Sequence, residues 1–215
     1  MCCVDRKSDD VFRRIFGRVD TKDILARFLS LVLEVEILPE ELMLLDAITP
    51  PKCTEPKPLV LNILAWRSAA HEKLHIELQC VSKENARWRA MYYLTQAIVD
   101  DACDENFYLA LPKVISILLA DSLLFEENDP KEYHEVFHVR SAESNALLTD
   151  ALAIHVLELA RLLEWKLDGD TEALAMWGMY LNNVDGDALE IIAEREPMIR
   201  RAIAIEKGGV LNEGF

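Results

Sequence analysis

The sequence predicts an α/β fold, a mixed sheet flanked by helices and followed by an α-helical C-terminal part, and three stretches carry that expectation. Residues 59–80, LVLNILAWRSAAHEKLHIELQC, place two runs rich in Leu, Ile and Val either side of a polar connector, 67–73. In the second run Leu74, Ile76, Leu78 and Cys80 alternate with His75, Glu77 and Gln79, so the stretch reads as a β-hairpin. Residues 21–34 repeat Ile24, Leu25, Phe28, Leu29 and Val32 at helical spacing, and residues 111–121, LPKVISILLAD, form a continuous apolar run fit for a strand inside a sheet.

Each element follows from local chemistry. Asp9 and Asp10 open a short helix, VFRRIF, with Val11 and Ile15 inward, which Gly17 stops; Asp9 is placed to cap it. After the helix of residues 21–34, Pro39, Pro50, Pro51, Pro56 and Pro58 leave room for one short strand, 44–48. The hairpin comes next, then a helix from Ser82 or Lys83 to near Cys103, whose buried stripe is expected to be Trp88, Met91, Tyr92, Thr95, Ile98 and Val99. Residues 133–140 and 154–159 read as strands beyond it, separated by the polar turn 141–145. Past Asp168-Gly169-Asp170 the chain turns helical: Leu174, Trp177, Tyr180 and Leu181 make one stripe, and Leu189, Ile192, Ile199, Ala202 and Ile203 make others across Pro197.

Composition removes several classes of function. With 51% hydrophobic and 28% charged residues the chain is globular, and 215 residues suffice for one well-buried core. No apolar run is long enough to span a membrane, and MCCVDRKSDD has no apolar core for a secretory signal. Five cysteines, Cys2, Cys3, Cys53, Cys80 and Cys103, are an odd number without C-x-x-C spacing, so neither a disulfide framework nor a zinc cage is indicated and a reducing cytoplasm is expected. A net charge of −15 argues against a general nucleic-acid binder. Residues 1–30, however, hold seven Lys/Arg against five Asp/Glu, net +2, which leaves −17 for the remainder. Arg13, Arg14, Arg18, Lys22 and Arg27, with Arg87 and Arg89, are candidates for a local basic rim; the alternative is ordinary solvated helix charge.

Three motifs bear on chemistry. His134-Glu135-Val136-Phe137-His138 fits the zinc-protease pattern H-E-x-x-H, which needs a helix to converge its imidazoles. Its neighbours Tyr133 and Val139 favour a strand, where residues four apart lie about 13 Å from each other. Asp168-Gly169-Asp170 and Asp185-Gly186-Asp187 lack the ligand spacing of a calcium loop and read as turns. The hairpin remains. Period-two geometry puts Glu77 and Gln79 on one face, about 6.5–7 Å apart, and Asn62 interrupts the preceding strand. Acceptors on two adjacent strands, followed by a third polar group, are how a sheet can hold a divalent metal beside a phosphodiester.

The hairpin, the N-terminal SDDVFRRIFG (residues 8–17) and RWRAMYY (residues 87–93) together resemble the PD-(D/E)XK nuclease family of transposases, also called recombination-promoting nucleases. The resemblance runs from about residue 7 to about residue 205. It implies a restriction-endonuclease-like core over residues 1–165 with a helical extension, 166–215, packed on the same core. The family usually continues beyond residues 208–215, so the last helical segment is expected to be shortened.

The resemblance also implies roles. Glu77 would supply a metal carboxylate, the carbonyl of Leu78 a second oxygen, and Gln79, standing where the wider superfamily has Lys, would orient the attacking water. Asp9 matches the D-x-V-F position as an auxiliary acid, Arg89 and Tyr93 match an Arg and a Tyr four residues apart, and Arg87 and Arg89 would contact DNA phosphates. The cofactor implied is Mg²⁺ or another divalent cation. DNA is the implied partner, with a homo-oligomer or pairing with a related nuclease. One departure stands out: where the family has the metal-binding Asp of an L-D-V strand, this chain has Leu61, Asn62 and Ile63. An amide oxygen can ligate a metal but brings no charge. Asn62 is then an introduced inactivating change, natural decay, or a loss compensated by Asp9 or Asp46. The expected function is a metal-dependent DNA endonuclease, impaired or inactive as written; the alternative is a non-catalytic DNA- or partner-binding protein that keeps the fold.

Overall fold

The computed structural model describes residues 5–45, 48–49, 59–60, 63–79, 83–99, 112–125 and 132–207. Contacts divide the chain into two compact units, residues 1–40 with 159–215, and residues 41–158.

The first unit is helical. Helix α1 (Asp9–Phe16) buries Val11, Phe12, Ile15 and Phe16, and its first turn carries Asp9 and Asp10, whose charge suits the helix N-terminus. Helix α2 (Lys22–Leu33) buries the five residues its spacing marks, and Glu34 ends it in the left-handed region (φ 53°). Helices α4 (Ala173–Leu181), α5 (Gly186–Arg195) and α6 (Pro197–Glu206) complete the unit, with Pro197 at the first turn of α6, where its missing N–H is harmless. Trp177 is fully buried among the rings of Phe16, Phe28 and Tyr180, with centroids 5.6, 5.8 and 5.7 Å away. Beside it Arg6 donates from Nε to Glu206 Oε2 (2.8 Å) and from Nη1 to the carbonyls of Tyr180 (3.2 Å) and Val184 (2.9 Å), while the Tyr180 hydroxyl donates to the same Glu206 oxygen (3.0 Å). Burial, then the Glu206 charge, pushes the Tyr180 phenol far above its ordinary range.

The second unit is built on a six-stranded mixed sheet in the order β1-β4-β5-β6-β8-β7, comprising β1 (Leu42–Leu45), β4 (Ile63–Arg67), β5 (Glu72–Gln79), β6 (Lys113–Ala120), β8 (Leu152–Glu158) and β7 (His134–His138). Strands β5, β6 and β8 run parallel; β1, β4 and β7 are antiparallel to their neighbours. Strands β2 (Ile48–Thr49) and β3 (Leu59–Val60) form a separate two-stranded ladder. The single strand expected over residues 44–48 is therefore two short ones, and the first apolar run of the hairpin divides between β3 and β4, because each pairs with a different partner. At the tip of the hairpin Arg67 ties Glu41 (2.8 Å) to Glu72 (3.3 Å), and Lys113 meets the other Glu72 oxygen at 3.3 Å.

Helix α3 (Lys83–Val99) covers one face of the sheet, and it does so with a different stripe from the expected one. Ala86 and Ala90 pack on Leu118, Ala120 and Val156; Tyr93 packs on Leu64; Leu94 and Ala97 pack on Val114. Trp88, Met91 and Tyr92 lie outside, 78%, 47% and 49% exposed, with Thr95 also outside; Ile98 is half-buried and the Val99 side chain lies outside the described residues. Alanines at 86, 90 and 97 let the helix backbone approach the sheet closely, and that row outweighs the larger side chains on the opposite face. Lys73, itself buried, donates from Nζ to the Ala97 carbonyl near the helix end (2.9 Å).

Strand β7 carries the H-E-x-x-H residues, so His134 and His138 do not converge as they would on a helix. His134 Nε2 instead lies 3.0 Å from Nδ1 of His155 on β8, the rings stacked at 5.2 Å, and His138 Nδ1 lies 3.3 Å from the Leu152 carbonyl oxygen. Burial, reinforced by the neighbouring imidazoles, lowers the His155 pKa from 6.5 to about 4.

Two outcomes follow from these buried groups. Glu206→Gln leaves the Arg6 charge buried without its counter-ion and should cost about 3 kcal/mol of stability, read from the urea midpoint; replacing both residues by apolar ones should recover much of it. Because His155 is neutral when folded and the unfolded imidazole takes up its proton first, its contribution is present above pH 6.5 and is lost as pH falls toward 4, by roughly 3 kcal/mol. Urea midpoints measured across that window should fall less steeply in His155→Gln than in the parent chain.

Candidate active site

Glu77 sits in the middle of the sheet because β5 is flanked by β4 on one side and β6 on the other. Alternation turns His75 and Glu77 toward α3 and Leu74, Ile76 and Leu78 to the opposite face, and both faces are buried: His75 is 0% and Glu77 3% exposed. The polar face of the alternating run is thus covered by a helix.

Glu77 is held from above by that helix. Arg89 Nη2 donates to Glu77 Oε1 at 2.8 Å and to the Tyr93 hydroxyl at 2.7 Å, so the Arg and Tyr one turn apart on α3 act on the carboxylate together. The Arg89 guanidinium also lies 5.4 Å from the Tyr93 ring centroid. Burial, and next the Glu77 charge, raises the Tyr93 pKa. From the side, His75 Nε2 approaches Glu77 Oε2 at 3.7 Å, and His75 Nδ1 is 3.2 Å from Ser116 Oγ on β6. Arg89 is 42% exposed at its side chain, so this otherwise enclosed cluster reaches solvent along that side chain.

The residues expected at the site are distributed as follows. Asn62 and Asp46 lie outside the described residues, and of Gln79 the backbone is described as the last residue of β5. Ile63 and Ile76 are a described pair of the hairpin ladder, and Asn62 and Glu77 are their respective neighbours in the chain. Leu78 is buried in β5 and paired with Leu119. Asp9 is exposed in the first turn of α1, in the helical unit. Arg87 is anchored: its guanidinium lies 4.7 Å from the Phe125 ring centroid and donates to the Leu124 carbonyl, while Glu158 accepts the Leu124 and Phe125 amides. Of the basic rim, Arg18 pairs with Asp20 and Arg27 with Glu196. His75 and Ser116 are members of the cluster that sequence reasoning missed. The alternation that marks Glu77 marks His75 equally, but nothing in one sequence brings Ser116 beside it.

A divalent magnesium ion asks for several oxygen ligands in an open octahedral arrangement. Among the described residues no group of three His, Cys, Asp or Glu side chains could hold a metal, and one oxygen of Glu77 already faces a guanidinium. The described donors therefore do not fit such an ion as they stand. What they do fit is the retention of a carboxylate: a guanidinium, a phenol and an imidazole converge on Glu77 and fix its rotamer. Among the described residues no helix is long and apolar enough to cross a membrane.

No curated protein and no solved structure matches the chain. The family of PD-(D/E)XK nuclease transposases does match, over residues 6–209, and the mixed six-stranded sheet flanked by helices is consistent with the restriction-endonuclease-like fold. With nearly its whole length matched, the chain belongs to the PD-(D/E)XK nuclease family transposases, and its function is nuclease- and transposase-related.

Proposed function

We propose that this protein is a cytoplasmic DNA endonuclease by descent, dependent in its competent form on a divalent cation such as Mg²⁺, whose phosphodiester hydrolysis is impaired as written. The observation that carries the reading is the Arg89–Glu77 ion pair at 2.8 Å, taken with a sequence that has Asn62 where the family has Asp. One departure from the family pattern, Asn62, and one residue that matches it, Arg89, act in the same direction. Asn62 removes one negative charge from the donor set, and Arg89 offsets the charge of the other carboxylate; both weaken the attraction for a cation.

In this reading Glu77 is the surviving metal carboxylate, Leu78 contributes its carbonyl, Gln79 orients water, and Asp9 is an auxiliary acid. Arg87 and Arg89 meet the DNA backbone. A phosphate approaching the exposed part of Arg89 offers the guanidinium a second anion, and bidentate pairing with phosphate is among the stronger contacts it can make. Cleavage of both strands needs two sites, so a homo-oligomer or pairing with a related nuclease belongs to the same proposal. The closed state of Glu77 favours a second reading, a protein that binds DNA or a nuclease partner without cutting.

Asn62→Asp separates the two. Plasmid nicking in Mg²⁺ should rise about 10²–10³-fold over the parent, the span that one well-placed electrostatic group is worth, and should be abolished again by adding Glu77→Gln. Nicking by neither form, with DNA binding retained, would overturn the endonuclease reading in favour of the binder.

A further inference from the structure

Among the described residues, no element packs against one face of helix α3 that its sequence marks as apolar. Trp88, Met91 and Tyr92, with Thr95 one turn beyond, follow helical spacing on the side away from the sheet. Together with Arg89 they line a shallow groove of about 500 Å³. An indole 78% exposed is unusual, and a contiguous exposed aromatic patch marks a contact surface more often than chance.

Charge points to the occupant. Among the described residues that line the groove the charged one is a cation, Arg89, set between aromatic side chains. The ligand is therefore one that offers flat apolar faces and an anion within a few ångströms of each other. Nucleotides of a single strand meet both conditions: each base has a π face for Trp88 or Tyr92, and the adjoining phosphate can approach the partly exposed Arg89 side chain. In a duplex those faces are stacked on each other and unavailable to an indole.

We infer that the Trp88–Tyr92 face of α3 is a stacking platform for unpaired nucleotides of DNA, with Arg89 as its phosphate contact. The inference rests on the DNA reading above and narrows it to unpaired DNA. Arg89 is shared between the platform and Glu77, so a strand on the platform lies next to the candidate site.

The test is fluorescence anisotropy with the full chain and a short labelled oligonucleotide, single-stranded or annealed to its complement. Single-stranded binding should be the tighter, should weaken by about tenfold or more in Trp88→Ala, and should be largely kept in Trp88→Phe, which retains a ring. Of the four tryptophans, Trp88 should account for the quenching seen on binding, so quenching should vanish in Trp88→Phe. Because Trp88 is on the surface, its removal leaves no cavity, and thermal melts should be unchanged. Equal or tighter duplex binding that ignores Trp88 overturns the platform while leaving the DNA reading intact. Loss of self-association in Trp88→Ala, with DNA binding unaltered, overturns it in favour of a subunit interface. Binding to neither form of DNA removes both readings.

Discussion

Glu77 leaves water when β5 takes its place between β4 and β6, and a carboxylate at 3% exposure is expensive unless donors converge on it. Arg89 is the donor with full charge, and it comes from the next element of the chain. The ion pair therefore fixes more than one side chain: it sets the rotation of α3 about its own axis. With Arg89 aimed at Glu77, position 93 one turn on faces the sheet, positions 86, 90 and 97 fall beneath, and positions 88, 91 and 92 are left outside. Packing and electrostatics agree here, since the alanine row is also the surface that permits close approach.

That coupling explains what could and could not be read from the sequence. The hairpin, α1, α2, the buried strand β6 and the Leu174, Trp177, Tyr180 stripe of α4 each carry their own periodicity, and local periodicity is legible. The inward face of α3 was not, because two stripes compete on that helix and size points to the wrong one; the deciding facts, a carboxylate on the preceding strand and a sheet needing small residues, lie outside the helix. The grouping of residues 1–40 with 159–215 is likewise a matter of distant contacts such as Arg6 with Glu206. At the candidate site, alternation identifies Glu77 and its neighbour His75, whereas Ser116 comes from another strand by register alone. The meaning of His134 and His138 was legible for a complementary reason: their β-branched and aromatic surroundings specify a strand, and a strand cannot bring them to one metal.

The same comparison bears on how far a motif determines chemistry. On the proposed reading Glu77 stands where the family has a metal carboxylate, but the immediate surroundings decide what a carboxylate can do. With a guanidinium, a phenol and an imidazole around it, Glu77 is a fixed acceptor with one oxygen already engaged. A site of this kind opens only if something competes for Arg89, and the part of Arg89 that is accessible is the part that faces solvent. Access to the carboxylate and recognition of an external anion thus pass through one side chain.

An acidic chain that handles DNA has to solve a problem of field as well as of contact. At physiological ionic strength charges are screened over about 8 Å, so a net charge of −15 matters less than the signs found within that distance of the bound strand. The basic residues of the first thirty positions add little to such a local field where they are paired, as Arg18 and Arg27 are. Broad phosphate neutralisation is therefore a poor source of affinity for this protein. Contacts that do not depend on charge, stacking above all, carry no such penalty and lose little to salt. An exposed aromatic face beside a guanidinium is the arrangement by which an acidic surface can still hold a polyanion.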